Sequence, residues 1–458
     1  MRAALFKQLG LALVAAALAS GDAAAEAAPI SPADLRADLR LAVETIEQNH
    51  PDLAHSVGKA ELERAARRIE RQLDRPMTRT EAWSALAQLN PLLADGHLFI
   101  ALPDWRQESA RTLAEGGAFF PFEVSIDAHG AVRIVSALGG GPTPYAGRRI
   151  RRIDGRDAGQ VVRTLSARVH GDTPAFRSAL LAQRWWLYYA KLYGAPAAFE
   201  LDLVGGGRVR VAASRDSPAL LQDEASFERT YRCEVGPRGA VLTAGSFAWP
   251  DKAQYLAFTQ DCFARIAAAG ADRLVVDLRR NGGGDDDYWR EGLLRYIADQ
   301  PYRHGSRYIK RVLQPRAGEV AGQLISGEIE AQTPPEAAEP LRFKGQVYVL
   351  VGPQTYSSAV LFSNVVQDYG FGRVAGVGGA VRTRQSGAVQ SLRLPKTGLV
   401  LFYPRFVLDR PSGAARPAYV EPDLPIADDP LDQRAAVDSL LKRTASVTGG
   451  PRAPISGS

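Results

Sequence analysis

Apolar residues fall into a helical rhythm directly after position 30. Ser31-Pro32-Ala33-Asp34 has the form of a capping box with proline at the first helical position, and Leu35, Leu39, Val43 and Ile46 follow on one stripe, so a helix begins here. Leu62, Ala66, Ile69 and Leu73 predict a second helix, and a third is expected from about Thr80 to Leu93 through Trp83, Leu86 and Leu89. From Phe119 the pattern becomes strand-like, in Phe120 to Ile126, Val132 to Val135, and Arg149 to Ile153 with its closing turn Asp154-Gly155. A helical stretch between Phe176 and Leu192 interrupts these strands, and 199–211 reads as a hairpin around Gly205-Gly206-Gly207. Beyond about 228 strands and helices alternate. Leu274-Val275-Val276 and Val347 to Val351 are buried strands, and Tyr288 to Ile297 is a helix. Ser358 to Tyr369 is another, with Phe362, Val365, Val366 and Tyr369 on one face. Such alternation predicts an α/β class with a mostly parallel sheet.

These patterns divide the chain into a helical domain at 29–115, a β-rich module at 116–227 and an α/β core at 228–442. Residues 314–341, polar and rich in Pro and Glu, read as a surface excursion, and 443–458 as a disordered tail. Residues 1–28 are expected to be a signal peptide: Arg2 and Lys7 give a positive start, an apolar run from Leu9 to Ala19 follows, and Ala23-Ala24-Ala25 offers a cleavage site. That run is shorter than the ~20 apolar residues a bilayer span needs, so the chain is expected to be exported, periplasmic or secreted, without a membrane span after cleavage.

At 458 residues, 46% apolar and 23% charged, the composition is that of a globular protein with several cores and excludes a disordered or disulfide-stapled chain. The net charge of +6, from 56 basic and 50 acidic side chains, is spread along the sequence in both signs, giving no case for nucleic-acid binding. Cys233 and Cys262 leave two readings open: one disulfide, expected in an oxidising compartment, or two buried thiols.

Two glycine-rich strand ends carry candidate chemistry. Val276-Asp277-Leu278-Arg279-Arg280-Asn281-Gly282-Gly283-Gly284 ends a buried strand in glycines whose N–H groups can approach a negative oxygen. No Gly-Lys-Ser/Thr and no GxGxxG spacing accompanies it, so neither a phosphate nor a dinucleotide site is indicated. Val351-Gly352-Pro353-Gln354-Thr355-Tyr356-Ser357-Ser358-Ala359 places hydroxyls at a helix N-terminus, where the helix dipole and free N–H groups stabilise an alkoxide or oxyanion. Taken alone, that motif fits an ordinary serine N-cap better than a nucleophile. The acidic run Asp285-Asp286-Asp287 has no His or Cys partner to complete a metal site and reads as a solvated helix start; neither metal nor cofactor is expected.

Together with Gly376-Val377-Gly378-Gly379 and Glu421-Pro422-Asp423-Leu424-Pro425-Ile426, these motifs resemble in order and spacing the C-terminal processing (tail-specific) and tricorn-type serine peptidases. The resemblance implies a crotonase-like α/β core, a PDZ-like module ending near Arg148 to Gly155, and a peptide or protein substrate. It implies Ser357 as nucleophile, with an oxyanion hole from Ser358 N–H and that of Gly283 or Gly284. The processing branch places its lysine base where this chain has Arg382, which cannot accept a proton, and no lysine occurs between Ser357 and Lys396. The tricorn-type branch takes a histidine from the helical region, matched here by Ala94-Asp95-Gly96-His97, so His97 is expected as general base, with an apparent pKa of about 6 to 7. For the acid that orients it, Arg416 stands where that pattern has glutamate; Glu421 is assigned, with Asp95 as a substitute. The rival reading is a catalytically silent binder of ligands or peptides on the same fold, like the interphotoreceptor retinoid-binding proteins. Val360, where many relatives have glutamate, keeps it open.

Overall fold

The structure is a computed structural model that describes residues 28–316 and 318–443. The expected signal peptide, except for its last residue, and the tail from 444 lie outside the described residues. Among those described, no helix is long and apolar enough to cross a membrane.

Ser31 caps α1 (Pro32–Asn49) by accepting from the Asp34 N–H at 3.2 Å, and α2 (Lys59–Glu70) follows. The expected third helix is broken into α3 (Arg79–Leu86), a 3-10 turn at Ala87–Leu89 and α4 (Asn90–Leu93). Pro91 has no N–H to give the ladder, and Ala94 at φ 47° ends it in the left-handed region. From there β1 (Phe99–Ala101) leaves the helices, before α5 (Trp105–Ala114). It pairs antiparallel with β17 (Val400–Tyr403), which pairs with β16 (Gln390–Arg393). The helical region is therefore stitched to the core by a strand, where the hydrophobic pattern had suggested a separate domain.

In the β-rich module, β2 (Phe122–Ile126), β3 (Val132–Ala137), β4 (Arg149–Ile153), β6 (Ala198–Leu203) and β7 (Arg208–Ala212) form one antiparallel sheet in that order, with the short β5 (Arg156–Asp157) beside β4. One face is apolar, through Val132, Ile150, Ile153 and Leu201, and joins a core with α6 (Ala158–Ser166), α7 (Pro174–Gln183) and α8 (Trp185–Tyr193). Two short helices, α9 (Ala219–Ala225) and α10 (Phe227–Thr230), lead out of it.

The core sheet has the order β19 (Leu424–Pro425), β14 (Arg373–Gly376), β13 (Gln346–Val351), β10 (Arg273–Asp277), β9 (Gly239–Ala244), β8 (Tyr231–Gly236); only β8 runs antiparallel to its neighbour. Its helices are α11 (Lys252–Ala268), α14 (Ser358–Tyr369) and α15 (Gln433–Lys442), together with a broken helix made of α12 (Asp286–Trp289), a π turn at Arg290–Leu294 and α13 (Arg295–Ile297). A disulfide joins Cys233 on β8 to Cys262 on α11, resolving the two readings left open by the sequence. The excursion contributes β12 (Leu324–Glu328) to a second sheet with β11 (Arg307–Arg311), β18 (Phe406–Leu408) and β15 (Gln385–Gly387). Because β10 and β13 are adjacent and parallel, with Asp277 opposite Leu350, the glycine loop and the serine turn leave the same end of the sheet side by side. A crevice at the carboxyl ends of parallel strands is where such folds bind ligands.

Candidate active site

Ser357 occupies a strained elbow between β13 and α14, at φ 53° and ψ −124°. For a residue with a Cβ this conformation costs roughly 1–3 kcal/mol and survives only where its neighbours impose it. They do so here. The Thr355 hydroxyl accepts from Gly352 N–H at 2.9 Å and donates to the Leu278 carbonyl at 2.7 Å. Tyr356 N–H reaches the Asn281 carbonyl at 2.9 Å, and Ser357 N–H donates to Gln385 Oε1 at 3.0 Å. The Ser357 carbonyl starts the helix, accepting from Val360 and Leu361, but its hydroxyl makes no cap hydrogen bond. The N-cap role that the motif alone favoured is thus not taken up, and a half-exposed hydroxyl is left over at the positive end of α14.

The neighbouring serine is committed elsewhere. Ser358 is buried, its hydroxyl donating to Asp286 and accepting from Trp289 Nε1 at 2.8 Å. Burial lifts the Asp286 carboxyl to about 6 despite its bonds from Ser358 and Trp289, so this member of the acidic run is not the solvated group expected from sequence. Gly283 and Gly284 are required by close approach. A Cβ on Gly283 would lie 2.6 Å from Ser357 Cβ, and one on Gly284 would lie 2.2 Å from the Phe247 carbonyl oxygen. Gly283 N–H is already donated to Asn281 Oδ1 at 2.8 Å. The N–H groups of Gly284 and Ser358 have no acceptor among the described residues and are the better placed pair for an oxyanion.

His97 stands on the turn after α4, held by polar groups from distant segments. Its ring packs on Tyr356, the residue before Ser357, with centroids 4.7 Å apart. Gly96 permits this approach, because a Cβ there would meet the Tyr356 ring at 2.5 Å. His97 Nδ1 lies 2.9 Å from Ser386 Oγ, which donates to Asp95 Oδ1 at 2.8 Å. With Nδ1 protonated, this chain leaves the Nε2 lone pair free to take a proton. No hydrogen bond joins His97 to Ser357 in the structure; β15 links them instead, Gln385 binding the backbone of one and Ser386 the ring of the other.

Asp95 is fully buried and well supplied with donors. It accepts from His97 N–H at 2.7 Å, Ser386 at 2.8 Å and Ser56 at 2.9 Å, and Ser56 Oγ also lies 3.0 Å from His50 Nε2. Burial would raise its pKa, but His50, His97 and His55 outweigh this and hold the carboxyl well below the usual carboxylate range. Burial also lowers His97 below its ordinary value, with Asp95 opposing. Asp172, just before α7, accepts from Gly96 N–H at 3.1 Å, Tyr356 hydroxyl at 2.9 Å and Arg382 N–H at 2.9 Å. Burial and the charge of Asp95 raise it to about 6, against the pull of Arg382 and Tyr356. The Arg382 guanidinium donates to the Ala94 carbonyl, so the residue at the lysine position has become a strut for the histidine turn.

The structure does not bring Glu421 to His97. Its residue is exposed and only its backbone carbonyl is used, by Gln367 at 3.0 Å. Asp95, the substitute, lies 3.9 Å from His97 Nδ1, with Ser386 between them. Ser386, Gln385 and Asp172 escaped sequence reasoning: Gln385 and Ser386 lie in a short strand with no local signature, and Asp172 follows His170-Gly171 in a loop to which the sequence assigns no chemistry. Lys396 sits far from the elbow at the start of the chain, 3.3 Å from Asp34. Among the described residues no group of three or more His, Cys, Asp or Glu side chains is arranged to hold a metal.

Comparison with known proteins fits this geometry. Mature CPAF complexed with lactacystin superposes at a TM-score of 0.64 with 14% identity, over 89% of this chain and 97% of that one. Mature CPAF alone gives 0.62 and 14%, over 89% and 96%. At such identity the likeness speaks for the fold. No curated protein matches the chain by sequence. Residues 246–426 match the sequence profile of Peptidase family S41, a span holding the glycine loop, the elbow and β15. Over that span the chain is similar to peptidase family S41.

Proposed function

We propose that this protein is an exported serine peptidase that cuts peptide bonds through an acyl-enzyme on Ser357. The observation that carries the reading is the Ser357 elbow: a hydroxyl freed from capping by a strained backbone, beside unpaired amides and an imidazole oriented by a buried carboxylate. Ser357 Oγ attacks the scissile carbonyl while its proton passes to His97 Nε2, and the carbonyl electrons move to an oxyanion held by the N–H groups of Ser358 and Gly284. Collapse breaks the C–N bond as His97 returns the proton to the leaving amine; water then gives a proton to His97 as it attacks the acyl carbon, and the Ser357 C–O bond breaks as His97 passes that proton back to Ser357 Oγ. Asp95, through Ser386, favours the imidazolium formed in each step. The Ser357–His97 hydrogen bond forms in the substrate complex, as catalytic hydrogen bonds often tighten only then. The α/β core and β-rich module are read as crotonase-like and PDZ-like, and export rests on the leader-like residues at the start of the sequence.

A fluorophosphonate probe tests the reading. Labelling of the wild type but not of Ser357→Ala is expected; a wild type that stays unlabelled, although folded, would make this a silent binder on a peptidase fold.

A further inference from the structure

Charges that alternate in sign along the sequence are sorted by the fold. In the β-rich module Arg133 on β3 lies opposite Arg149 on β4, Arg152 opposite Asp202 on β6, and Asp202 and Glu200 opposite Arg208 and Arg210 on β7. Residues opposite each other on antiparallel strands share a face. Ile150, Ile153, Leu201 and Leu203 turn the other way, into the core with α6, α7 and α8. The outer face thus carries Arg133, Arg149, Arg151, Arg152, Arg208 and Arg210 against two carboxylates, and all six except the half-buried Arg133 are exposed. Asp202 takes Arg208 at 2.8 Å and Arg151 at 3.9 Å, whereas Arg133, Arg149, Arg152 and Arg210 form no salt bridge among the described residues. At its rim the β6–β7 turn presents Val204, 41% exposed, fixed by Arg148 donating to the carbonyl of Gly206 at 3.0 Å. Strand register thus builds a basic surface by setting the Arg149–Arg152 cluster of β4 beside Arg133 on β3 and near Arg208 and Arg210 on β7.

We infer that this arginine face docks the protein on an anionic lipid surface. Four guanidinium groups without internal partners meet what phosphate headgroups offer, since Arg binds phosphate through a planar fork of donors. A broad sheet face suits a surface better than a nucleic acid. It offers no aromatic side chain for base stacking and no helix or free ribbon to enter a groove. An apolar centre of the kind that anchors protein partners is also missing, apart from Val204 at the edge. Docking by this face would leave the catalytic groups clear, because Asp172 and Phe176, which touch Tyr356, lie with the helices on the opposite side of the sheet.

The test is co-sedimentation of the full chain with vesicles of phosphatidylcholine alone or with one-third phosphatidylglycerol. Two variants are compared: Arg149→Gln/Arg152→Gln/Arg210→Gln on the face, and Arg67→Gln/Arg71→Gln/Arg393→Gln, exposed residues elsewhere. Binding to the anionic vesicles is expected to exceed that to neutral ones at least tenfold at ~0.1 M salt and to fade towards 0.5 M. The face variant should lose at least about tenfold, the headgroup field acting on each arginine near the surface. The other variant should keep its binding, with any contribution from the leader common to both. Equal partition on both vesicles, or equal loss in both variants, would overturn the proposal. So would a face variant that keeps vesicle binding but loses binding to a short DNA duplex.

Discussion

The two halves of the proposed catalytic pair are held in different ways. The Ser357 elbow is fixed mainly by backbone: glycines that nothing larger can replace, a hydroxyl clamp from Thr355, and strands β10 and β13 in parallel register. The His97 turn is fixed by side chains from Ser56, Asp172, Tyr356, Arg382 and Ser386, converging on Ala94, Asp95 and Gly96. A nucleophile held by backbone should tolerate change around it in an all-or-none manner. A base held by a polar network should weaken by degrees as the network is trimmed.

The largest expected effects remove the pair itself. Ser357→Ala should lower kcat/KM by at least about 10⁴-fold in a peptide-hydrolysis assay. His97→Ala should cost roughly 10²- to 10⁴-fold, the usual range for a general base. Ser358→Ala should instead act on the fold. It removes the hydroxyl bond from both the Asp286 carboxyl and Trp289 N–H, leaving them only their mutual bond at 3.2 Å, for about 1–3 kcal/mol of stability, with a much smaller loss of turnover, and thermal melts beside kinetics separate the two. Equal loss of turnover in both serine variants would mean that Ser358 shares the chemistry.

Trimming the network comes next. Ser386→Ala breaks the path from His97 to Asp95, and kcat should fall about ten- to a hundredfold with KM nearly unchanged, since the imidazole is mispositioned while substrate contacts stay. Ser386→Thr, which keeps the hydroxyl, should recover part of the loss. The pH profile tests the same network. His97 must be neutral to act, so kcat/KM should rise with pH through its pKa and then level off. Burial lowers that pKa, so the midpoint is expected below 6.5, lower than its sequence position suggests. Burial and the charge of Asp95 raise the Asp172 carboxyl, and because it ties Gly96 to Tyr356, the acid limb should be steeper than one proton. A midpoint above pH 7.5 would point to another base.

How much the sequence reveals follows the same division. The strand, glycines, turn and helix around Ser357 are neighbours in the chain, so their periodicity and composition display the elbow, much as Ser31 displays its cap. The network around His97 is assembled across large separations, 76 residues from Gly96 to Asp172 and 291 from Asp95 to Ser386, and a lone serine or glutamine in a short strand has no local signature. The arginine face is hidden for a related reason: its members lie on β3, β4 and β7, and only register brings them together. The apolar periodicity ran the third helix straight through Pro91 and missed its break, and it gave no sign of the strand that ties the helical region to β17.

The smallest expected effect bears on which carboxylate serves the histidine. Glu421 follows from adjacency to the Pro422-Asp423 motif, but its side chain is exposed and makes no contact with the His97 turn, while its backbone carbonyl binds Gln367 whatever the side chain. Neighbouring Asp423 has a structural task, accepting from Val374 N–H at 2.9 Å and Gln367 at 3.0 Å, which explains the motif without any catalytic role for Glu421. Glu421→Gln should therefore leave kcat/KM within about twofold and the acid limb in place, as expected of an exposed surface change. Asp95→Asn should lower kcat by a factor of at least about a hundred, because an amide in that position can offer its N–H to Ser386 and reverse the hydrogen bonds that orient His97. If the Glu421 variant lost activity and the Asp95 variant kept it, the acid would have to reach His97 by a rearrangement of the 416–421 segment, and the network described here would be only a scaffold.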